Sequence, residues 1–264
     1  MVDPERYGPW AVIAGGSEGI GACIAAELAQ AGINLVLIAR KTGPLDKLAA
    51  ELRQANRIEV RTLALDLTDA AMLAKVRAVT DDIDVGLLVY NAGASHRTGP
   101  YIDWPIEDVI KVIRLNVDGQ AVFAHHFGGR MAARGKGGII LIGSMAGNAG
   151  SPSVVAYAGA KAFSQIFAEG LWWELGQRGV EVLQVVVGPT ATPAMERLGI
   201  TYHEGEAVES EVVARHALAN IANGPVFVMP ELRAGFEQLT TTDRRAAALM
   251  NAAYVMGNTE GATG

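Results

Sequence analysis

Tyr157 and Lys161 stand four positions apart in a stretch that reads as helix, a spacing that puts both side chains on one face. A phenol beside an ammonium is a proton-transfer pair. A reaction that builds negative charge on a substrate oxygen needs an acid beside it, and its reverse needs a base. Free tyrosine titrates near ~10, so poising it close to neutrality takes a drop of about three units, or roughly 4 kcal/mol of selective phenolate stabilisation. Lys161 is the nearby cation that could supply it. Ser144, which precedes Tyr157 by thirteen positions, adds a hydroxyl. No adjacent base marks that serine as a nucleophile, and acyl transfer would need a histidine that the sequence does not place. Each fragment is common by itself, and Tyr-x-x-x-Lys arises by accident in many helices.

A second chemical feature lies near the N-terminus, where Ala14-Gly15-Gly16-Ser17-Glu18-Gly19-Ile20-Gly21 follows a short apolar run and leads into a helical pattern. Gly15 can make the tight turn, Gly19 can let a pyrophosphate approach the backbone, and Gly21 can allow close helix–strand packing. The helix N-terminus then faces the phosphates. Ser17 and Ile20 complete the loop residues read as cofactor-binding. The loop lacks the Gly-Lys-Ser/Thr ending of a nucleoside-triphosphate loop, so a dinucleotide fits better than ATP. At the end of the second apolar run, Leu37-Ile38-Ala39-Arg40-Lys41 contains no acid to hold both ribose hydroxyls. Arg40 offers a planar fork and Lys41 a second charge to a 2′-phosphate, so NADP is expected ahead of NAD. Glu18 argues the other way, because its charge would repel that phosphate unless it turns to solvent.

Such residues need elements that hold them at one place. Apolar runs of strand length recur at Trp10–Ala14, Asn34–Ala39, Glu59–Leu65, Val85–Tyr90, Gly138–Ile142, Glu181–Val187 and Val226–Met229. Most are continuous Val/Ile/Leu runs, as expected of strands covered on both faces. Helical patterns at Ile20–Ala31, Leu45–Ala55 and Ala70–Val79 have crossover length. The pattern predicts one α/β domain over residues 1–264, a doubly wound Rossmann fold with a mostly parallel seven-stranded sheet and ligand sites beyond the carboxyl ends of its strands. No repeat or linker marks a boundary, and Gly257–Gly264 reads as a frayed tail.

Composition narrows the classes further. Of 264 residues half are hydrophobic, the net charge is −6, and basic residues are scattered, so nucleic acid is not an expected partner. No run approaches the ~20 apolar residues of a membrane span, and the N-terminus lacks a basic region followed by an apolar run. A cytoplasmic protein is expected. The lone Cys23 falls on an apolar helix face and reads as packing, and the adjacent His125 and His126 point apart, so no metal site is expected.

In order along the chain, the glycine loop Gly15/Gly19/Gly21, Asp66 in Leu65-Asp66-Leu67-Thr68, Asn91-Ala92-Gly93, Asn116 in Leu115-Asn116-Val117, Ser144, and Tyr157-Ala158-Gly159-Ala160-Lys161 resemble the short-chain dehydrogenase/reductase family in its compact form. The resemblance covers nearly the whole chain, and the ordered set is far more specific than any member. It implies hydride transfer between a nicotinamide and an alcohol/carbonyl pair, with Tyr157 as acid/base. It further implies that Lys161 also binds the nicotinamide ribose, that the oxidised ring's charge helps stabilise the phenolate, and that Ser144 hydrogen-bonds the substrate oxygen. By the same resemblance Asn116 holds a water that relays protons between Lys161 and solvent, Asp66 contacts the adenine ring, Asn91 braces the central sheet near the cofactor, and Leu67, Ala92 and Gly93 are among the cofactor-binding residues. In Val187-Gly188-Pro189-Thr190-Ala191-Thr192-Pro193, Gly188, Thr190 and Thr192 resemble the nicotinamide-contacting segment. The family's Pro-Gly is absent there, with Val187 where the proline belongs.

Residues 193–209 would cover the substrate, with Met195, Leu198, Ile200 and Tyr202 as an apolar wall and Arg197 and His203 toward water. Phe163, Ile166, Phe167, Leu171, Trp172 and Trp173 offer apolar surface to the core or to a homodimer or homotetramer, which the resemblance implies. The expected partner is a small-molecule carbonyl or alcohol. Two other readings stay open: a non-catalytic nucleotide-binding regulatory protein on the same fold, and a reductase of activated C=C bonds, whose usual tyrosine/lysine spacing differs.

Overall fold

The computed structural model describes residues 2–95, 97–197, 202 and 205–260, with side chains in the last helix described as far as residue 253. A short helix α1 (Pro4–Tyr7) precedes β1 (Trp10–Ala14), α2 (Gly19–Gln30), β2 (Asn34–Ala39), α3 (Thr42–Ala55), β3 (Val60–Ala64), α4 (Met72–Thr80) and β4 (Val85–Tyr90). The second half runs α5 (Ile106–Ile113), α6 (Gly119–Arg134), β5 (Gly137–Ile142), α7 (Val155–Gly176) and β6 (Val180–Val186). It ends with β7 (Thr190–Ala191), α8 (Pro193–Arg197), β8 (Val208–Glu209), α9 (Ser210–Ala219), β9 (Val226–Val228), α10 (Arg233–Thr241) and α11 (Arg244–Glu260).

The main sheet has the order β3-β2-β1-β4-β5-β6-β9, and every pairing in it is parallel. It is the expected doubly wound Rossmann sheet of seven strands. The chain winds outward from β1 to β3, then returns to β1's other side at β4, so the crevice of the fold opens between the carboxyl ends of β1 and β4.

Burial explains why these runs form central strands. Along β1, Ala11 and Ile13 face one apolar layer, built with α2, α3 and α9, while Val12 and Ala14 face the other, built with α4, α6 and α7. All four are fully buried. Covering each Leu, Ile or Val side chain contributes about 2 kcal/mol, so both layers favour strands that are apolar on each face. β7 and β8 form a separate two-stranded ribbon that frames α8. Two helices after residue 230, α10 and α11, lie beyond the predicted pattern. Of the expected tail, residues 257–260 belong to α11 and 261–264 lie outside the described residues.

Candidate active site

The glycine loop turns away from β1 on two backbone bonds, in which the Gly15 and Gly16 amides donate to the Ile38 carbonyl at 2.8 and 3.2 Å. Gly15 has φ +81°, and an added Cβ would lie 2.8 Å from the Ala92 amide nitrogen. A side chain on Gly21 would drive into the Gly15 carbonyl oxygen and approach Asn91 Nδ2 to 2.8 Å. Asn91 Nδ2 already donates to that carbonyl at 2.9 Å. The Asn91 and Ala92 amides donate to Ala14 O at 2.9 and 2.8 Å, which locks the β4 end to the β1 end. The result is a cradle of backbone groups at the N-terminus of α2, a shape that fits a pyrophosphate.

Arg40 and Lys41 follow β2 directly, are exposed, and form no ion pair with any described residue. Two free cations at this strand end fit a 2′-phosphate. Asp66 is exposed and its Oδ1 accepts from the Thr68 amide and hydroxyl, both at 2.9 Å. Leu67 is buried in the core, so only its backbone can reach a ligand.

At the next strand end, Ser144 follows β5 and caps a short 3₁₀ turn, its Oγ accepting from Ala146 N at 3.2 Å. That turn lies against α7 so closely that a Cβ on Gly147 would come within 2.7 Å of the Lys161 backbone carbon. The contact holds the start of α7 against the β5 end and sets the Ser144 hydroxyl beside the Tyr157 phenol, close enough to act on its titration. Lys161, one turn on, is only 3% exposed and donates to the Ile142 carbonyl at 2.7 Å. Its Nζ lies 5.4 Å from the Tyr157 ring centroid.

The electrostatics differ from the simple expectation that Lys161 draws the phenol down. Burial pushes the Tyr157 phenol above its ordinary value, and the neighbouring Ser144 hydroxyl only partly opposes this. Burial also pushes the Lys161 ammonium down to about 8. The chain's own groups therefore favour the neutral phenol, the form that can donate a proton.

Asn116 sits in a π-helical turn, residues Arg114–Asp118, that joins α5 to α6. Such turns free backbone carbonyls, and Asn116 Nδ2 donates to Val112 O at 2.9 Å and Ala94 O at 3.3 Å. Its Oδ1 is buried and has no hydrogen-bond partner among the described residues. An added Cβ on Gly93 would lie 2.6 Å from this oxygen and 3.0 Å from Lys161 Nζ. An orphaned acceptor and a buried ammonium thus flank one point, as a proton-relay water would require.

Gly19, Ile20, Asn91, Gly93, Ser144, Tyr157, Lys161, Gly188, Thr190 and Thr192 line one cavity of about 720 Å³. Gly15, Ser17, Gly21, Ala92 and Asn116 are not in its wall; Gly15, Gly21 and Ala92 set the cradle's shape, and Asn116 stands behind Gly93. The altered loop is well ordered by its bonds: Met145 N donates to Val187 O at 2.9 Å, and Thr190 Oγ1 to Gly188 O at 3.1 Å. Thr192 Oγ1 accepts from Met195 N at 3.3 Å, capping α8.

Of the expected cover, Met195 and Tyr202 reach the cavity, while Leu198, Ile200 and His203 lie outside the described residues. Arg197 does not simply face water, for it pairs with Glu18. The far wall comes from residues that the sequence reading passed over: Glu231, Leu232, Gly235, Gln238, Leu239, Met250 and Asn251, from α10, α11 and the turn before them. Asn251 is tied down there, donating to Ser151 Oγ at 2.6 Å. The apolar pairs Phe236/Leu239 and Leu249/Met250 were the only signal of this wall in the sequence.

Cys23 packs against the core, and burial raises its thiol to about 11, so it is held as an unreactive thiol at neutral pH. No helix among the described residues is long and apolar enough to cross a membrane.

Known proteins resemble this chain in sequence and fold. Residues 9–202 match the family model described as short chain dehydrogenase. A 7β-hydroxysteroid dehydrogenase of Clostridium sardiniense is 31% identical over 72% of this chain and 72% of its own length. A very-long-chain 3-oxoacyl-CoA reductase of Podospora anserina is 36% identical over 73% of this chain, a match that spans only 58% of that longer protein. Among solved structures, one from work on 7β-hydroxysteroid dehydrogenase stereoselectivity superposes with a TM-score of 0.88 at 26% identity, covering 95% of this chain and 99% of its own. A short-chain dehydrogenase from Sphingobium yanoikuyae in complex with NADPH gives 0.78 at 32% identity, covering 90% and 97%. With that match across most of its length, and relatives above 30% identity over nearly three quarters of it, this chain belongs to the short-chain dehydrogenase/reductase family.

Proposed function

We propose that this protein is an NADP(H)-dependent oxidoreductase that interconverts a secondary alcohol and a ketone on a large, mostly apolar substrate, with Tyr157 transferring the proton. The observation that carries the reading is the meeting of the Ser144 hydroxyl, the Tyr157 phenol and the Lys161 ammonium on the wall of the cavity that is also lined by Gly19 and Ile20 of the glycine loop. A bound nicotinamide supplies or takes up the hydride. Ser144 and Tyr157 bind the substrate oxygen between their hydroxyls, which orients the carbonyl and stabilises the negative charge that develops on it. Tyr157, held neutral by burial, gives its proton to that oxygen. Lys161 and the free Asn116 oxygen then position the water from which the phenol is reprotonated.

NADP(H) is supported by Arg40 and Lys41 after β2, which pair with no described residue, and by the NADPH bound in the Sphingobium relative. Substrate size is supported by the 720 Å³ cavity with its wall of Leu232, Leu239, Met195 and Met250, and by relatives named for hydroxysteroids and very-long-chain oxoacyl thioesters. The test is NADPH oxidation against ketosteroids, 3-oxoacyl thioesters, sugars and small ketones, with Tyr157→Phe in parallel. We expect turnover of a bulky apolar ketone, and a loss of at least about a thousandfold in Tyr157→Phe with cofactor binding unchanged. Tight NADPH binding without turnover of any member would favour a regulatory nucleotide-binding protein instead.

A further inference from the structure

Glu18 and Arg197 are 179 positions apart in sequence, yet their side chains form a two-pronged ion pair, with Arg197 Nη1 to Glu18 Oε1 at 3.1 Å and Nη2 to Oε2 at 2.6 Å. Glu18 is the N-cap residue of α2, in the middle of the glycine loop, and borders the cavity. Arg197 is the last residue of α8, which is capped by Thr192. The same two segments touch again nearby, where a Cβ on Gly19 would lie 3.0 Å from the Thr192 methyl group.

A carboxylate at this position is electrostatically misplaced. The N-terminus of α2 and the amides of the glycine turn favour an incoming phosphate, and a fixed negative charge among them opposes it. The opposition is greater for NADP(H), which adds the charge of a 2′-phosphate to that of the pyrophosphate. Glu18 makes no capping bond to α2. Both of its oxygens are turned to Arg197 instead, and Arg197 commits both terminal nitrogens to them. Arg40 and Lys41, by contrast, stay unpaired among the described residues, free to meet a phosphate.

We propose that Arg197 is a positioning residue that shields the Glu18 charge and thereby sets the preference for NADP(H) over NAD(H). The cover segment then does more than enclose substrate: its arginine completes the electrostatics of the cofactor loop. The inference rests on the dinucleotide reading above. It assigns Arg197 no contact with the cofactor, since its fork is already satisfied by a carboxylate.

Equilibrium titration of NADPH and NADH by quenching of intrinsic tryptophan fluorescence tests this without turnover. For Arg197→Gln, the NADPH dissociation constant should rise about tenfold and that of NADH by about threefold or less, the difference reflecting the additional charge. Adding Glu18→Gln to Arg197→Gln should restore NADPH binding to within about twofold of wild type, and Arg197→Lys should keep most of it. Glu18→Gln alone should tighten NADPH. Equal losses for the two cofactors, no loss, or a double variant as weak as Arg197→Gln would overturn the shield. The last result would mean that Arg197 itself holds a phosphate. Should wild type bind NADH as tightly as NADPH, the cofactor reading fails, while recovery in the double variant still decides the role of Arg197.

Discussion

Replacing Lys161 by Met should make the protein more stable while abolishing its activity. The ammonium is 3% exposed, its one hydrogen-bond partner among the described residues is the Ile142 carbonyl at 2.7 Å, and no described carboxylate neutralises it. Burial lowers its titration from the ordinary lysine value of 10.5 to about 8. At about 1.4 kcal/mol per decade, keeping that charge inside at pH 7 costs on the order of 3 kcal/mol. Met has a similar reach, so it fills the space, and losing the bond to Ile142 O costs about 1 kcal/mol. The net gain is about 2 kcal/mol, or about 4 °C in Tm for a chain of this size.

The pH dependence has a definite sign. Below about 8 the folded and unfolded chains both carry the proton, and the full penalty of burial is present. Between about 8 and 10.5 the folded lysine is neutral while the unfolded one is still charged. The unfolded state then binds more protons, so wild type gains stability as pH rises. Above 10.5 the penalty is gone. Differential scanning calorimetry of wild type and Lys161→Met from pH 7 to pH 10.5 should show the gap shrinking across that window. A variant that melts below wild type at pH 7, or a gap constant with pH, would refute the account of Lys161 as a buried uncompensated charge.

Two further outcomes follow from the surface and the cavity. Gly235 on α10 has room toward Met145, the nearest atom to an added Cβ being its methyl carbon at 3.7 Å; Gly235→Leu should raise KM for a bulky ketone about tenfold and leave small ketones within about twofold, and equal effects on both would show that α10 does not wall the substrate. Ile106, Ile110 and Ile113 lie exposed on α5, and Ile166 and Trp173 on α7, whereas Phe167 and Leu171 turn to the core. This apolar face is wide enough to bury in a homo-oligomer, so sedimentation should give a dimer or tetramer that Ile110→Asp with Ile166→Asp reduces to monomer; a wild-type monomer would end that expectation.

The fold was readable wherever one physical demand acted alone. Trp10–Ala14, Asn34–Ala39 and Val85–Tyr90 match their predicted bounds because strands buried on both faces leave an uninterrupted apolar run. The outer strand β3 is two residues shorter than expected, its Arg61, Thr62 and Leu63 being only half buried. Ser144, Tyr157 and Lys161 were readable because local helix geometry fixes two of them and the β5 end fixes the third. The C-terminal wall was not: Leu232, Phe236 and Leu239 recur at helical spacing, but no residue of α10 is buried, and such a stripe does not by itself tell core packing from the wall of a cavity. Nor could any local pattern show that Arg197 reaches Glu18 across most of the chain.

The costs of this fold are gathered in one place. The layers on either face of the sheet are apolar, while a charged lysine, an amide oxygen with no partner among the described residues and a phenol held above its ordinary pKa all sit beside Gly93 or Ser144. Side chains selected only for stability would not be arranged so, because each would be improved by an apolar substitute. Tyr157 and Lys161 stand on the first turns of α7 and Asn116 on the π-turn between α5 and α6, beside Gly93 and Ser144 at the ends of the paired strands β4 and β5. The far wall stands on α10 and α11, which touch the sheet little. Reaction and selectivity therefore rest on different elements: changes in α10 and α11 can alter which ketone reacts without moving Ser144, Tyr157 or Lys161, whereas a change at Gly147 or Gly93 displaces the chemistry for every substrate.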